Sequence, residues 1–277
     1  MPFRVYPFPA RMAAMVLILA LAASVLMPFA WMLVTSFKST ADFSRNPFGL
    51  PETWVTSNFS EAWKTGHFVR LYANSLIITL TSVAGIVVTC AAAGYAFAHF
   101  GGRHAKLLFL YFLAGMMIPP QVILIPAFKV MTQIGLVNTP LAVILTYLAW
   151  VPFAIFFFRA YFAGIPRDLI EAARIDGAGE LSIFFRIMLP LARPALVTVG
   201  IIYFVWIFND FMWPLVYLND ESLRTVTLGM MNFEGKYSSL LTLKTAALTL
   251  ATLPPVVVFI VFRRQIQGGL VEGALKS

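Results

Sequence analysis

An aspartate at the end of an apolar stretch is the first residue of this sequence that could do chemistry. Asp210 follows sixteen uncharged residues, 194–209, and stands in the run Asn209-Asp210-Phe211-Met212-Trp213-Pro214-Leu215. A carboxylate, an amide and an indole so close together are the groups that hold a polyhydroxylated solute, whose hydroxyls bond the polar pair while its ring stacks on the indole. A structural purpose suits them too, with Asp210 bonding neighbouring helices or a partner subunit and only lining a gate. Asn74, beside Ser75, and Gln121, beside Pro119-Pro120, are weaker candidates for facing a solute path. Other chemistries lack their residues. Cys90 is the single cysteine, which excludes an internal disulfide and any paired-cysteine metal site. His99 and His104 stand near a helix end without the further ligands a metal needs. Gly268 to Gly273 has the spacing of a phosphate loop, but Ala274 occupies the lysine position and no strand precedes it, so this chain is not read as an ATP hydrolase.

The elements that must position these residues are membrane helices. The 277 residues are 60% hydrophobic and 12% charged, with a mean hydropathy of +0.84, whereas soluble domains run about 45–50% apolar and about 25% charged. Charge-free windows fall at 12–37, 71–102, 107–128, 130–158, 194–209 and 245–262. A spanning helix needs roughly 20 apolar residues, so four windows span outright. The fifth spans if it tolerates Asp210 and extends to about 218, and the sixth if Arg263 and Arg264 snorkel. The fold class is therefore all-α and integral to the membrane, with six transmembrane helices. Arg4 and Arg11 before an apolar run through Ala20-Leu21-Ala22-Ala23 imitate a signal peptide, but the run continues to Val34 and reads as an uncleaved first helix.

Between the spans, loop 37–70 carries Trp54, Phe59, Trp63 and Phe68, which suit an interfacial belt. The second helix holds Ser82, Ala84, Gly85 and Ala91 to Gly94, small residues that let backbones approach closely and favour burial in protein. Pro119-Pro120 and Pro126 should kink or interrupt the third, placing 115–126 at a simple kink or beside a cavity. Loop charge sets the orientation. With the N-terminus inside, the inside segments carry 12 Lys and Arg against 8 outside in nearly equal lengths, which favours both termini in the cytoplasm. The net charge of +8 is thus accounted for by loops rather than by a nucleic-acid surface.

The densest charge lies in the inside loop 159–193, with Arg159, Arg167, Asp168, Glu171, Arg174, Asp176, Glu180, Arg186 and Arg193. Pro166 suits a first helical turn, Asp168 and Glu171 suit the dipole behind it, and Leu169, Ala172 and Ala173 share one face. Asp176-Gly177 stops that helix, Gly179 adds a flexible point, and Phe184, Ile187, Met188 and Leu191 mark a second amphipathic helix interrupted at Pro190 and Pro194. Spacing alone allows either a surface-lying amphipathic hairpin or a helix-turn-helix that fits a groove in another protein.

The run Glu171-Ala172-Ala173-Arg174-Ile175-Asp176-Gly177-Ala178, followed by Ile187-Met188-Leu189-Pro190, resembles the EAA loop of permease subunits of binding-protein-dependent ABC importers. The Asn209 to Leu215 stretch and Gly94-Tyr95-Ala96-Phe97-Ala98 resemble the carbohydrate-uptake branch. The tail from Gly268 to Lys276 resembles the end of its six-helix maltose-type subunit. The resemblance implies residues 1–70 as an N-terminal helix with its external loop, and 71–277 as the importer's membrane core. It implies a cell-membrane protein of a bacterium or archaeon, lipid around it, that forms a heterodimeric path with a second permease. It also implies two ATP-binding subunits carrying the ATP and Mg, and an extracellular or periplasmic solute-binding protein that delivers a sugar-type cargo. No cofactor is implied in this chain. ATPase coupling would fall to Glu171, Ala172, Ala173, Asp176, Gly177, Leu189 and Pro190 in helices over 166–190. Loop 219–244, with Asp220, Glu221, Arg224, Glu234 and Lys236, is either a contact for the binding protein or a plain connector. A secondary carrier would want several intramembrane acids, and only Asp210 qualifies; a non-sugar cargo such as glycerol phosphate is the other alternative.

Overall fold

The computed structural model describes residues 8–235 and 240–275; Arg4, Lys236 and Lys276, which entered the charge balance and the loop and tail motifs, lie outside the described residues, as does the side chain of Arg264. All regular elements among the described residues are helical. The chain divides into two compact units, Met1–Phe68 with Met230–Thr252, and Val69–Gly229 with Leu253–Ser277.

In the first unit α1 (Phe8–Ser36) is one apolar helix that carries Pro28 without a break. Its side chains are exposed from Arg11 to Ala30 and become buried near its end, where Thr35, Ser36 and Lys38 are fully enclosed. Two short helices, α2 (Thr40–Arg45) and α3 (Ser57–Thr65), fold over that end. Ser39 caps α2 by accepting the N–H of Asp42 at 3.1 Å. The buried Lys38 ammonium donates to the Asn46 carbonyl at 2.5 Å, and Asn58 donates to the carbonyls of Ser36 and Lys38 at 2.8 and 2.9 Å. Aromatic rings complete the cap: Phe37 meets Phe59 at 4.9 Å and Trp54 at 5.3 Å, and Trp63 stacks on a fully buried Phe68 at 5.8 Å. Loop 37–70 is thus a packed cap in which Phe59 and Phe68 turn inward while Trp54 stays exposed.

The second unit begins along α4 (Phe68–His99). Only one face of α4 is buried, through Ser75, Ile78, Ser82, Ile86, Cys90, Ala91 and Tyr95; Ala84 and Val88 are exposed, so the helix is not enclosed all round as its small residues suggest. Gly94 does lie at a close approach. A Cβ there would come within 2.5 Å of the Phe158 Cβ and 2.8 Å of the Arg159 backbone nitrogen.

The remaining spans are bent. α5 (Arg103–Gly115) and α6 (Pro120–Gln133) meet at 101° across 116–119, where Pro119 adopts extended geometry and Pro120 opens the next helix. Pro126 stays inside α6. α7 (Pro140–Ala149) and α8 (Pro152–Ala163) meet at 46°. The fourth span is therefore displaced from its charge-free window, because Gly135 and Asn138 at positive φ turn the chain before Pro140 can start a helix. α12 (Arg193–Asn209) is followed, after a break at Asp210, by α13 (Met212–Tyr217). At 17 residues α12 is about 26 Å long, short of a bilayer core of about 30 Å. After the short α14 (Val226–Gly229) and α15 (Met231–Gly235), α16 (Leu241–Leu275) is the last described helix; its apolar part, Leu241–Arg263, is 23 residues long, and the glycine pair of Gly268 and Gly273 lies within helix rather than in a phosphate-binding loop. Among the described residues, three long apolar helices and three bent pairs, the third being Glu180–Leu191 with Arg193–Asn209 at 74°, give up to six candidate spans by length and composition.

Between α8 and α12, α9 (Asp168–Ile175) and the run Glu180–Leu191, made of α10 (Glu180–Ile183), a π turn and α11 (Leu189–Leu191), form the helix-turn-helix. Pro166 precedes α9 rather than entering its first turn. The turn is a Schellman cap: the Ala178 N–H donates to the Ala173 carbonyl at 2.9 Å and the Gly177 N–H to the Arg174 carbonyl at 3.0 Å. Gly177 sits at φ +81° with nothing within 4 Å of a would-be Cβ, so its requirement is conformational alone. Gly177→Ala should therefore cost about 1 kcal/mol, read as a lower thermal midpoint of the solubilised protein. Gly177→Asn, which tolerates this region, should recover most of the loss; equal midpoints for wild type and the alanine variant would contradict the cap. Gly179 has φ −74° and simply caps the second helix. That helix widens into a π turn over Phe184–Met188, which accommodates Pro190, a residue with no N–H to give and a ring that would collide with the carbonyl one turn back.

Candidate functional site

Asp210 ends α12 because its own backbone is extended, with ψ 136°, and its side chain offers the next helix a better bond than continuation would. Oδ1 accepts the Met212 N–H at 3.0 Å, as a helix-capping carboxylate does. Oδ2 accepts the Tyr147 hydroxyl of α7 at 2.6 Å, and the Asp210 carbonyl accepts the Thr227 hydroxyl at 2.7 Å. The one acid of the apolar stretch thus joins two helix ends. Hydrogen bonds to a charged group are worth about 1.5–3 kcal/mol each, enough to hold this break in an otherwise apolar bundle.

The break opens a cavity of about 390 Å³ among α6, α7, α12 and α13. Gln121, Asn209, Asp210 and Trp213 all line it, so four of the five candidate path residues come together. Asn209 is exposed and bonds its own helix through the Val205 carbonyl at 2.9 Å. Trp213 is buried and stacks on Tyr217 at 5.7 Å, and Tyr217 stacks in turn on Phe128. Asn74 does not line the cavity; its amide donates to the carbonyls of Ser222 and Arg224 at 2.8 and 3.1 Å, tying α4 to the segment after α13. Tyr147, Trp150, Tyr203 and Trp206 complete the wall. They escape sequence reasoning because an aromatic in an apolar helix looks the same whether it fills a core or faces a cavity. The nearest signal is that Tyr147 and Trp150, and again Tyr203 and Trp206, are amphipathic aromatics three residues apart.

Around this site Asn138 accepts the N–H groups of Asn219 and Asp220 at 3.0 and 2.9 Å, fixing the chain after α13. Asp220 caps the following turn by accepting the Ser222 N–H at 2.7 Å, a bond that holds its exposed carboxyl below the ordinary carboxylate range. Arg224 pairs with Glu221 at 3.3 Å. In the first unit Lys244 pairs with Glu234.

The helix-turn-helix presents a second arrangement. Ile170 and Ala173 of α9 are buried, whereas Leu169 and Ala172 are exposed, so the inward face is set one residue away from the face expected at Leu169, Ala172 and Ala173. In the second helix Ile183, Phe184 and Met188 are buried while Leu191 is exposed, because the π turn rotates the residues beyond it. Outward-facing apolar side chains remain at Leu169, Ile175, Leu181 and Phe185. Glu171 is exposed, and no ion pair engages it among the described residues. It borders a recess of about 70 Å³ with His99, Arg167 and Arg174. Asp176 is the exposed C-cap, Leu189 is half-buried and Pro190 lies in the last turn. An ion pair inside the loop joins its two helices, Arg174 to Glu180 at 2.7 Å, and a hydrogen bond ties it to the bundle: the buried Tyr95 hydroxyl of α4 donates to the other Glu180 oxygen at 3.2 Å.

Residues 85–270, which contain both arrangements, match the family described as binding-protein-dependent transport system inner membrane component. The chain belongs to that family. This permease is 35% identical over 97% of its length to the melibiose/raffinose/stachyose import permease protein MelC of Bacillus subtilis, 99% of which is covered. It is 33% identical over 91% of its length to the diacetylchitobiose uptake system permease protein NgcG of Streptomyces coelicolor, covering 84% of it. Its fold is that of a bacterial ABC transporter involved in the import of the acidic polysaccharide alginate, with a TM-score of 0.83, 24% identity, and coverage of 95% of this chain and 99% of that one. The permease is thus a multi-pass inner-membrane subunit of an ABC importer, working with a partner permease, an ATPase and a binding protein. ATP is bound by the partner ATPase, and the permease itself is not catalytic.

Proposed function

We propose that this permease forms, with a different second permease, the translocation path for a sugar or related polyol handed over by an extracellular or periplasmic binding protein. The observation that carries the reading is the cavity at the Asp210 break, where a carboxylate, two amides and indole rings converge. Those are the groups that bond hydroxyls and stack on pyranose faces, and relatives named for melibiose, raffinose, stachyose and diacetylchitobiose support a carbohydrate. Residues 71–277 act as the membrane core, with 1–70 as an added helix and external cap, and both termini lie in the cytoplasm.

Force enters through 166–190. Leu169, Ala172 and Glu171 offer an apolar patch and a carboxylate that has no ion pair among the described residues, the pattern of a surface that docks in a cleft bearing a cation. Gly177 fixes the angle between the two helices, Asp176 ends the first, and Leu189-Pro190 joins the second to α12. Through Glu180 the loop pulls on Tyr95 and α4, and through the 74° junction at 192 it pulls on α12, whose far end is Asp210. The buried Cys90 permits a clean test. Ala172→Cys should cross-link to a cysteine placed in the ATPase cleft of the assembled importer, and Asn74→Cys should not. Equal cross-linking of both, or of neither, would assign the docking surface elsewhere.

A further inference from the structure

The lining of the cavity is one-sided in charge. Among the described residues its only ionisable groups are Asp210 and the phenols of Tyr147 and Tyr203; the other described lining residues are uncharged, and no lysine, arginine or histidine is among them. Asp210 receives one donor on each carboxylate oxygen, from Tyr147 and from the Met212 backbone. That arrangement orients the carboxyl group without placing a cation beside it. The remaining polar groups are the exposed amides of Gln121 and Asn209. Phosphate and carboxylate ligands are held by arginine or lysine forks, and nothing of that kind faces this space.

On the reading of the cavity as part of the cargo path, we infer that this permease admits uncharged carbohydrates and rejects anionic ones, with Asp210 as the residue that sets the discrimination. Uronate-bearing oligosaccharides and polyol phosphates meet a fixed negative charge in a partly desolvated wall. Two like charges about 6 Å apart at the effective dielectric of a protein near its surface repel strongly enough to weaken binding by on the order of tenfold to a hundredfold. Neutral sugars meet the same carboxylate as a hydroxyl acceptor. The glycerol-phosphate alternative is therefore disfavoured by the lining itself.

The test uses the assembled importer, purified with its partner permease and ATPase subunits and titrated at low salt. Quenching of tryptophan fluorescence is the signal, since Trp206 is half exposed at the cavity and Trp150 and Trp213 adjoin it; Trp206→Phe controls its origin. The probes are maltotriose, raffinose and diacetylchitobiose, each beside the same sugar bearing a carboxylate in place of a primary alcohol. At least one neutral sugar should bind tenfold or more tightly than its acidic counterpart. Asp210→Asn, which can still accept the Met212 N–H, should narrow that gap to about threefold or less. Gln121→Lys, a change at an exposed position, should narrow or invert it with Asp210 in place. Acidic sugars that bind the wild type as tightly as neutral ones would overturn the charge discrimination and leave the cavity as a cargo site. Binding of none of the neutral sugars would overturn the cavity reading, and the discrimination with it.

Discussion

Gly94→Ala should destabilise the permease by about 2–3 kcal/mol, the upper part of the range for overpacking a tight core, and Gly94→Leu should prevent assembly. The added Cβ would stand 2.5 Å from the Phe158 Cβ and 2.8 Å from the Arg159 backbone nitrogen. Neither atom can rotate away, so α8 as a whole must move from α4. Gly85 supplies the contrast. Its Cβ would also meet an atom at 2.5 Å, but that atom is the Leu148 Cδ2, the end of a flexible side chain, with the next contacts at 3.6 Å. Gly85→Ala should cost under about 1 kcal/mol, because a rotamer change relieves it. Thermal unfolding of the two solubilised variants separates them; equal losses would show that α4 and α8 do not approach as described.

The second large effect is on transport. Glu171→Lys should leave the permease folded and inserted, since the side chain is exposed and engages no ion pair among the described residues. It should nonetheless lower cargo uptake by on the order of a hundredfold. A charge-assisted contact is worth about 1.5–3 kcal/mol, reversal adds repulsion against the same cation, and each 1.4 kcal/mol is a factor of ten. Glu171→Gln keeps a hydrogen-bond acceptor and should lose about tenfold. The split is measured by uptake against the amount of permease in the membrane. Wild-type uptake by the lysine variant would remove Glu171 from the coupling surface.

How much of this could be read from the sequence depended on whether the signal was local. The Asp176-Gly177 stop needed only a residue able to adopt positive φ, and the break between α5 and α6 needed only Pro119-Pro120; both stand where their residues put them. The fourth span was displaced because counting charges ignores Gly135, Asn138 and Pro140, which decide where a helix starts. The buried face of α9 was set one residue off, since Leu169, Ala172, Ala173 and Ile170, Ala173 satisfy helical spacing equally well and only the bundle beneath chooses. Asp210 was legible as an exception in an apolar run. Its partner Tyr147 was not, because the bond joins residues 63 apart and nothing about a tyrosine in an apolar helix announces it. Gly94 was visible within a motif, yet its small neighbours carried the same signal, and only the approach of Phe158 distinguishes it.

A conduit for an uncharged sugar that is driven from outside itself through the loop at 166–190 moves cargo only while its ATPase subunits work. The most direct measurement is uptake of labelled maltotriose, raffinose and diacetylchitobiose into proteoliposomes holding the complete importer with its binding protein, followed together with ATP hydrolysis. Uptake of at least one of these sugars should occur, should need ATP and the binding protein, and should be lost in Glu171→Lys while the complex stays assembled. Uptake by the permease alone, with no ATPase subunit and no ATP, would contradict that requirement.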